Sequence, residues 1–405
     1  MDVLQETEQL LKEEHDRLAS DGTKIGYAID HYGLTIERLL NMARRVELTE
    51  VSVVDFLMSA EEKFGDVTKA VEHLEEYTAE QIEISKQERL KQYQAESCGG
   101  YLDEFKRSIE RSKNRRPIQT GFKTLSDVLD GGLYEGLYIV GAIPSLGKTT
   151  LIMQMADHIA RNGHDVLIFS LEMGRNELMA RSISRLTEVK YDDLDNDQSL
   201  GKTARGISEG CRYEKYSQKE MAVIERAFQE YSLYADHLYV IEGMGKVGVT
   251  QIREQVERHI EITGNQPVVV VDYLQILAPY DVRASDKQNI DKATLELKRL
   301  SRDFHLSVIG ISSFNRSNYN EKVGFAAFKE SGSIEYGADV VIGLQLAGAG
   351  TAGFDSTEAK NKHPREVEAI ILKNRSGKTG DTIQFSYFPH VNLFLDKGEK
   401  KHEFV

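Results

Sequence analysis

The stretch GAIPSLGKTT, from Gly141 to Thr150, holds residue types that do phosphate chemistry. Gly147, Lys148 and Thr149 stand in the order of a phosphate-binding loop, with Ala142 at the place of that motif's first glycine. In such a loop the backbone N–H groups and a helix N-terminus face phosphate oxygens. The lysine reaches the β and γ phosphates, and the hydroxyl after it ligates magnesium. Ala142 adds one methyl group, which an early loop position accepts if φ stays negative. The nucleotide-binding candidates are therefore Ala142, Ser145, Gly147, Lys148, Thr149 and Thr150.

Carboxylates complete the pattern. Four valines precede Asp272, which puts its carboxylate at the carboxyl end of a buried strand, where a second magnesium-side ligand is needed. Thr149 and Asp272 are thus the metal candidates. Glu172 ends VLIFSLE, and either orients the water that attacks a γ phosphate or simply leads into the next helix. Lys373 and Arg375 lie two apart on the strand-like ILKNRSGKTGD, so both side chains are expected on one face. That pair is either a solvated strand face or a cationic pair that reaches a neighbouring subunit's γ phosphate.

These residues need rigid elements to hold them. GLYIVGA, DVLIFSLEM, VVVVDYLQIL and LSVIGISSF read as near-continuous apolar strands, and TTLIMQMADHIARNG and KATLELKRLSRDFH read as helices between them. Such alternation predicts an α/β fold with a parallel sheet covered on both faces and a ligand site beyond the strands' carboxyl ends. Residues 1–95 read instead as helices, with apolar positions three and four apart among charges. Between the two, Lys106, Arg107, Arg111, Lys113, Arg115 and Arg116 precede Pro117, and a helix there is expected to end before the proline. Its basic face is either solvated or meets nucleic acid or an acidic neighbour.

Composition narrows the class. Hydrophobic residues make up 40% of the 405-residue chain and charged residues 29%, ordinary for a soluble protein of two domains. No apolar run approaches the roughly 20 residues that span a bilayer, and the N-terminus lacks a signal-peptide pattern, so a cytoplasmic location without membrane contact is expected. Cys98 and Cys211 are too few and too far apart for a disulfide framework or a zinc ribbon. The net charge of −14 argues at first against nucleic acid, yet residues 1–100 carry 22 Asp or Glu against 11 Lys or Arg. Most of the acidity belongs there, and the remainder is free to present basic loops.

Taken together, TGFKTLSDVLDGGLYEGLYIVGAIPSLGKTT, FSLEM, VVVVDYLQIL, SSFNR, KESGSIEYGADV and KNRSG resemble, in order, the C-terminal ATPase domain of DnaB-like replicative helicases, a RecA-like branch of P-loop NTPases. The helicase half of mobile-element primase-helicases is similar. Three regions are therefore expected: an acidic all-α domain at 1–100 and a basic linker helix at 101–116, both read from the residues, and a RecA-like ATPase at 117–405, which the resemblance implies. The resemblance also implies ATP with Mg2+ on Lys148 and Thr149, Glu172 as catalytic carboxylate, Asp272 as the second acidic residue, and Lys373 and Arg375 as a trans-acting pair in a homohexameric ring. It further implies single-stranded DNA contacts at Lys329, Glu330 and Gly332, at Arg316, and at Arg283 and Lys287 on the loop after Asp272, with a primase or helicase loader as partner. Alanine at 142 is common in the family. Ser313, by contrast, stands where the family often has a glutamine that senses the γ phosphate, and the first hundred residues do not resemble the usual N-terminal domain. An ATP-dependent DNA helicase is therefore expected; a DNA-remodelling ATPase that does not unwind and a nonenzymatic ATP-gated module are the alternatives.

Overall fold

The computed structural model describes residues 74–113, 116–189, 200–243, 247–315, 320–328 and 331–397, with scattered positions before 74. The chain divides into two compact units, residues 1–115 and 116–405.

In the first unit, α1 (Leu74–Ala95) and α2 (Cys98–Ser112) are consecutive helices. Ser97 caps α2, its side chain accepting the Gly100 N–H, and the helix ends before Pro117 as expected. The charges of α2 pair largely along the helix itself, Lys106 with Asp103, Arg107 and Arg111 with Glu104, and Lys113 with Glu110. These pairs offset much of the positive charge on that face.

The second unit holds α3 (Lys123–Val128), β1 (Gly136–Ala142), α4 (Lys148–Arg161), β2 (Val166–Ser170), α5 (Arg175–Leu186), α6 (Ala204–Ser208), α7 (Gln218–Ser232) and β3 (Leu238–Glu242). It continues with α8 (Val249–Thr263), β4 (Val268–Asp272), α9 (Asp286–Phe304), β5 (Ser307–Ser313), α10 (Ser331–Gly337), β6 (Val340–Leu346), α11 (Ser356–Asn361), β7 (Arg365–Asn374), β8 (Thr382–Phe388) and β9 (Leu393–Asp396). The nine strands form one sheet in the order β3-β2-β4-β5-β1-β6-β7-β8-β9. From β3 to β6 every pairing is parallel, and β7, β8 and β9 add an antiparallel extension.

The run from β1 to β2 crosses the sheet in one direction and the run from β4 to β5 in the other. Because such crossovers are right-handed, α4 and α9 lie on opposite faces. Covered on both sides, β1, β2, β4 and β6 are buried along their whole length, which is why they read as unbroken apolar runs. Register places Ala142 beside Ser313 and Ser170 beside Asp272, so four strand ends converge on one carboxyl edge.

Candidate nucleotide site

At the carboxyl edge, Ala142 is the last residue of β1, and its φ is not among the positive ones. It is extended backbone, where a Cβ costs nothing. The glycine that geometry demands is Gly147, with φ at +93°; a Cβ there would stand 2.8 Å from the Phe394 ring and 2.9 Å from Tyr387. Gly147 is also the N-cap of α4 and supplies no side-chain cap, which leaves the first N–H groups of a 14-residue helix available to an anion. Ser145 holds a left-handed φ of +62° at the exposed tip of the loop.

Lys148 projects back under this loop, its Nζ donating to Ser313 Oγ at 3.2 Å and to the Ala142 carbonyl at 3.4 Å. Burial lowers its pKa, while Asp272 and Glu172 act against that shift. Thr149 Oγ1 donates to Asp272 Oδ2 at 2.8 Å. Burial pushes the Asp272 carboxyl up to about 6, with Glu172 adding repulsion and Thr149 and Lys148 opposing it. Among the described residues, Asp272 Oδ1 and Thr150 Oγ1 are buried without a hydrogen-bond partner. A buried carboxylate with one orphaned oxygen, a hydroxyl beside it and an uncapped helix start make a donor set that fits a magnesium-bound triphosphate. Glu172 lies two residues past the end of β2 rather than on the strand, exposed, close enough for its charge to act on both Lys148 and Asp272.

Residues that sequence reading missed support the loop from below. Tyr387 of β8 and Phe394 of β9 stack with centroids 4.2 Å apart under Gly147. Gln154 of α4 clamps Phe394 through both amide groups, accepting its N–H and donating to its carbonyl at 2.9 Å each. Arg365, at the start of β7, donates Nη1 to the Ser145 carbonyl at 3.0 Å and Nε to the Lys360 carbonyl at 2.6 Å. Its guanidinium therefore pins the strained tip. Replacing it, Arg365→Ala, is expected to weaken ATP binding about tenfold, the loss of one charge-assisted bond, with the circular-dichroism spectrum unchanged. Equilibrium titration with a fluorescent nucleotide measures it.

The remaining candidates lie elsewhere. Lys373 is on β7, which stops at Asn374, and Arg375 opens the following turn; strand alternation therefore does not relate the two, but both charges lie close to each other and to Asp339. The break follows from Asn374, whose side-chain oxygen accepts the Ser376 N–H at 3.3 Å and so favours a turn over the ladder. Lys373 Nζ donates to the carbonyls of Glu335 and Tyr336 in α10. Arg375 N donates to the Asp339 carbonyl at 2.9 Å, its guanidinium lies 3.6 Å from the Asp339 carboxylate, and its side chain is 69% exposed. Since Asp339 also accepts the Leu137 N–H, Arg375 sits at the amino end of β1, five residues and about 16 Å from the phosphate loop. Arg283 and Lys287 are exposed on the loop after β4 and the first turn of α9, and Gly332 is in the first turn of α10. Arg316, Lys329 and Glu330 lie outside the described residues.

The sequence pattern of the DnaB-like helicase C terminal domain matches residues 117–396, more than half of the chain. The chain belongs to the DnaB-like helicase family. It is 26% identical over 293 residues to the replicative DNA helicase DnaB of Helicobacter pylori, covering 65% of this chain and 56% of that protein. To the replicative DNA helicase DnaC of Bacillus subtilis it is 28% identical over 299 residues, 71% of this chain and 59% of the relative. The chain thus spans somewhat more than half the length of the curated relatives it matches. Among solved structures, an isolated ATPase domain superposes with a TM-score of 0.61 at 23% identity, over 74% of this chain and 99% of that one. A DnaB-like replicative helicase, in a structure describing its interactions with primase, gives 0.62 at 20% identity over 92% and 90%. The fold is that of the RecA-like DnaB ATPase domain, with a helical region before it. Among the described residues of this DnaB-like chain, no helix is long and apolar enough to cross a membrane.

Proposed function

We propose that this chain is one subunit of a ring-forming, ATP-driven DNA helicase that moves along single-stranded DNA and unwinds duplex during replication. What carries this is a separation within one chain: Lys148, Thr149, Asp272 and Glu172 meet at the carboxyl edge, while Lys373 and Arg375 sit at the opposite edge. An arginine about 16 Å from its own phosphate loop acts on the loop of another copy or on none. Repeating that head-to-tail contact closes a ring, for which a homohexamer is the expected form. The apolar stripe on α2, with Tyr101, Leu102, Phe105 and Ile109 all roughly half exposed or more, supports such packing against a second copy.

When bound, magnesium and the triphosphate supply the reacting phosphoryl group and neutralise its developing charge. Lys148 and the N–H groups of Gly147 to Thr150 hold the phosphates, and Thr149 and Asp272 hold the metal side. Glu172, exposed at the site, orients the attacking water, and Arg375 with Lys373 stabilises charge from the neighbour. Arg283, Lys287 and the 329–332 segment, with Arg316, contact the DNA backbone, and the N-terminal unit receives a primase or loader. Magnesium, ATP and a cytoplasmic setting follow from the same reading.

ATP hydrolysis is expected to rise with single-stranded DNA, and a forked duplex is expected to lose its second strand in an ATP-dependent way. Affinity for single-stranded DNA should fall about tenfold or more between 50 and 200 mM salt, with little sequence preference. Stimulated hydrolysis without strand displacement would favour a remodelling ATPase; salt-independent DNA binding would remove the proposed backbone contacts.

A further inference from the structure

Between the nucleotide site and the loop that follows β4 lies a short chain of polar contacts that begins at Lys148. Lys148 Nζ donates to Ser313 Oγ at 3.2 Å. The Ser313 N–H in turn donates to Gln275 Oε1 at 3.3 Å, and Gln275 Nε2 donates to Ser312 Oγ at 2.8 Å. One amide therefore straddles the last two residues of β5, and the second of these holds the lysine. Ser312 is fully buried, so that end of the clamp is fixed; Ser313 is partly exposed and faces the site.

Gln275 itself sits on a single helical turn, Leu274–Ile276, three residues after Asp272. Leu274 is buried at 1% exposure and anchors the turn, and Ala278 N donates to the Val247 carbonyl at 2.9 Å just beyond it. From there the chain enters an exposed segment carrying Tyr280, 70% exposed, and Val282, 90% exposed, before Ser285 caps α9. Only Ile276 and Leu277 separate the clamp from that segment.

We infer that Gln275 is a positioning residue that conveys the occupancy of the nucleotide site to the 278–285 segment, by way of Lys148 and Ser313. The inference rests on the reading of Lys148 as a phosphate contact. An ammonium that turns to phosphate gives up Ser313 Oγ, and the freed hydroxyl and its backbone N–H re-pair or shift. Gln275 is the side chain bonded to that N–H, and it lies on the same turn that sets where the segment begins. A short serine at 313 makes this indirect route necessary, since its hydroxyl reaches Lys148 but extends no further.

Hydrogen exchange of the 277–285 peptide, with and without magnesium and a slowly hydrolysed ATP analogue, tests it in the full chain. In the unmodified protein the analogue is expected to change the exchange rate about threefold or more. With Gln275→Ala the response is lost while nucleotide affinity stays within about threefold, and Gln275→Glu, whose carboxylate accepts from both Ser313 N–H and Ser312 Oγ, restores it. Ser313→Ala breaks the same chain at the lysine end and should lose the response too, without adding to the loss in the double variant. It carries the test alone if Gln275→Ala does not fold.

A response that survives both substitutions overturns the inference, as does an unmodified protein whose segment ignores the nucleotide. Loss of nucleotide binding in Gln275→Ala and Ser313→Ala would make the contacts part of the site's scaffold and overturn it equally. Failure of the helicase reading looks different: hydrolysis indifferent to DNA, with the exchange response and its dependence on Gln275 intact.

Discussion

Arg375→Ala protein is expected to hydrolyse ATP about 10³-fold more slowly than the unmodified chain, with its nucleotide affinity nearly unchanged. The expected size follows from what an arginine does in phosphoryl transfer: it meets charge that develops on the transferring group, and little of that charge exists in the ground state. Because Arg375 is anchored beside Leu137 through the Asp339 backbone, the loss cannot come from distortion of its own phosphate loop. Lys148→Ala protein is expected to be equally inactive for the opposite reason, failing to hold the phosphates. Mixing the two inactive proteins then separates a shared site from a self-contained one. In a randomly mixed ring about a quarter of interfaces join an intact loop to an intact arginine, and activity should return toward that fraction. No recovery, in a mixture shown by mass to exchange subunits, would mean that hydrolysis is completed within one chain and that the ring has been misplaced.

The parts of this site that the sequence made legible are those where chemistry and local structure coincide. Four consecutive valines fit only a strand buried on both faces, and the acid after them must stand at its carboxyl end, where Asp272 is found. Gly147 and Lys148 are likewise local: a left-handed turn and a helix start are encoded within ten residues. The support under the loop is not. Tyr387, Phe394 and Arg365 reach Gly147 and Ser145 from more than 200 residues away, and nothing in their own neighbourhood marks them as other than strand residues. For Lys373 and Arg375 the strand argument does not apply, since alternation predicts one face only while the strand continues and Asn374 ends it, yet both charges still gather beside Asp339. A signal for α2 was available: Tyr101, Leu102, Phe105 and Ile109 stand at helical spacing within a stretch that reads first as basic. Charge drew the reading there, and the structure shows that charge neutralised along the helix while the apolar stripe stays uncovered.

Asp272→Asn should make the nucleotide-free protein more stable at neutral pH while removing magnesium-dependent hydrolysis by about 10³-fold. The two effects have one cause. In the folded chain the Asp272 carboxyl titrates at about 6 instead of its ordinary 3.8, because burial disfavours the charged form. A raised carboxyl pKa means that the folded state binds the proton more tightly than the unfolded one, so this group's contribution to stability falls as pH rises from about 4 to about 6 and stays lost above that. A rise of that size corresponds to about 3 kcal/mol, or a few degrees in Tm for a domain of this size. Asparagine has the same shape, can still accept from Thr149 Oγ1, and carries no charge to bury. The difference in Tm between variant and parent should therefore be near zero at pH 4 and reach its full value at pH 7. Adding magnesium and nucleotide should reverse the order, because a ligand that binds the native state stabilises the parent and the variant has lost the oxygen that receives the metal. A Tm difference independent of pH would mean that Asp272 is already neutral or already paired when the site is nucleotide-free. A variant that is stabilised as expected yet still hydrolyses ATP with magnesium would move the metal ligand to another carboxylate, for which Glu172, whose charge acts on Asp272, is the candidate.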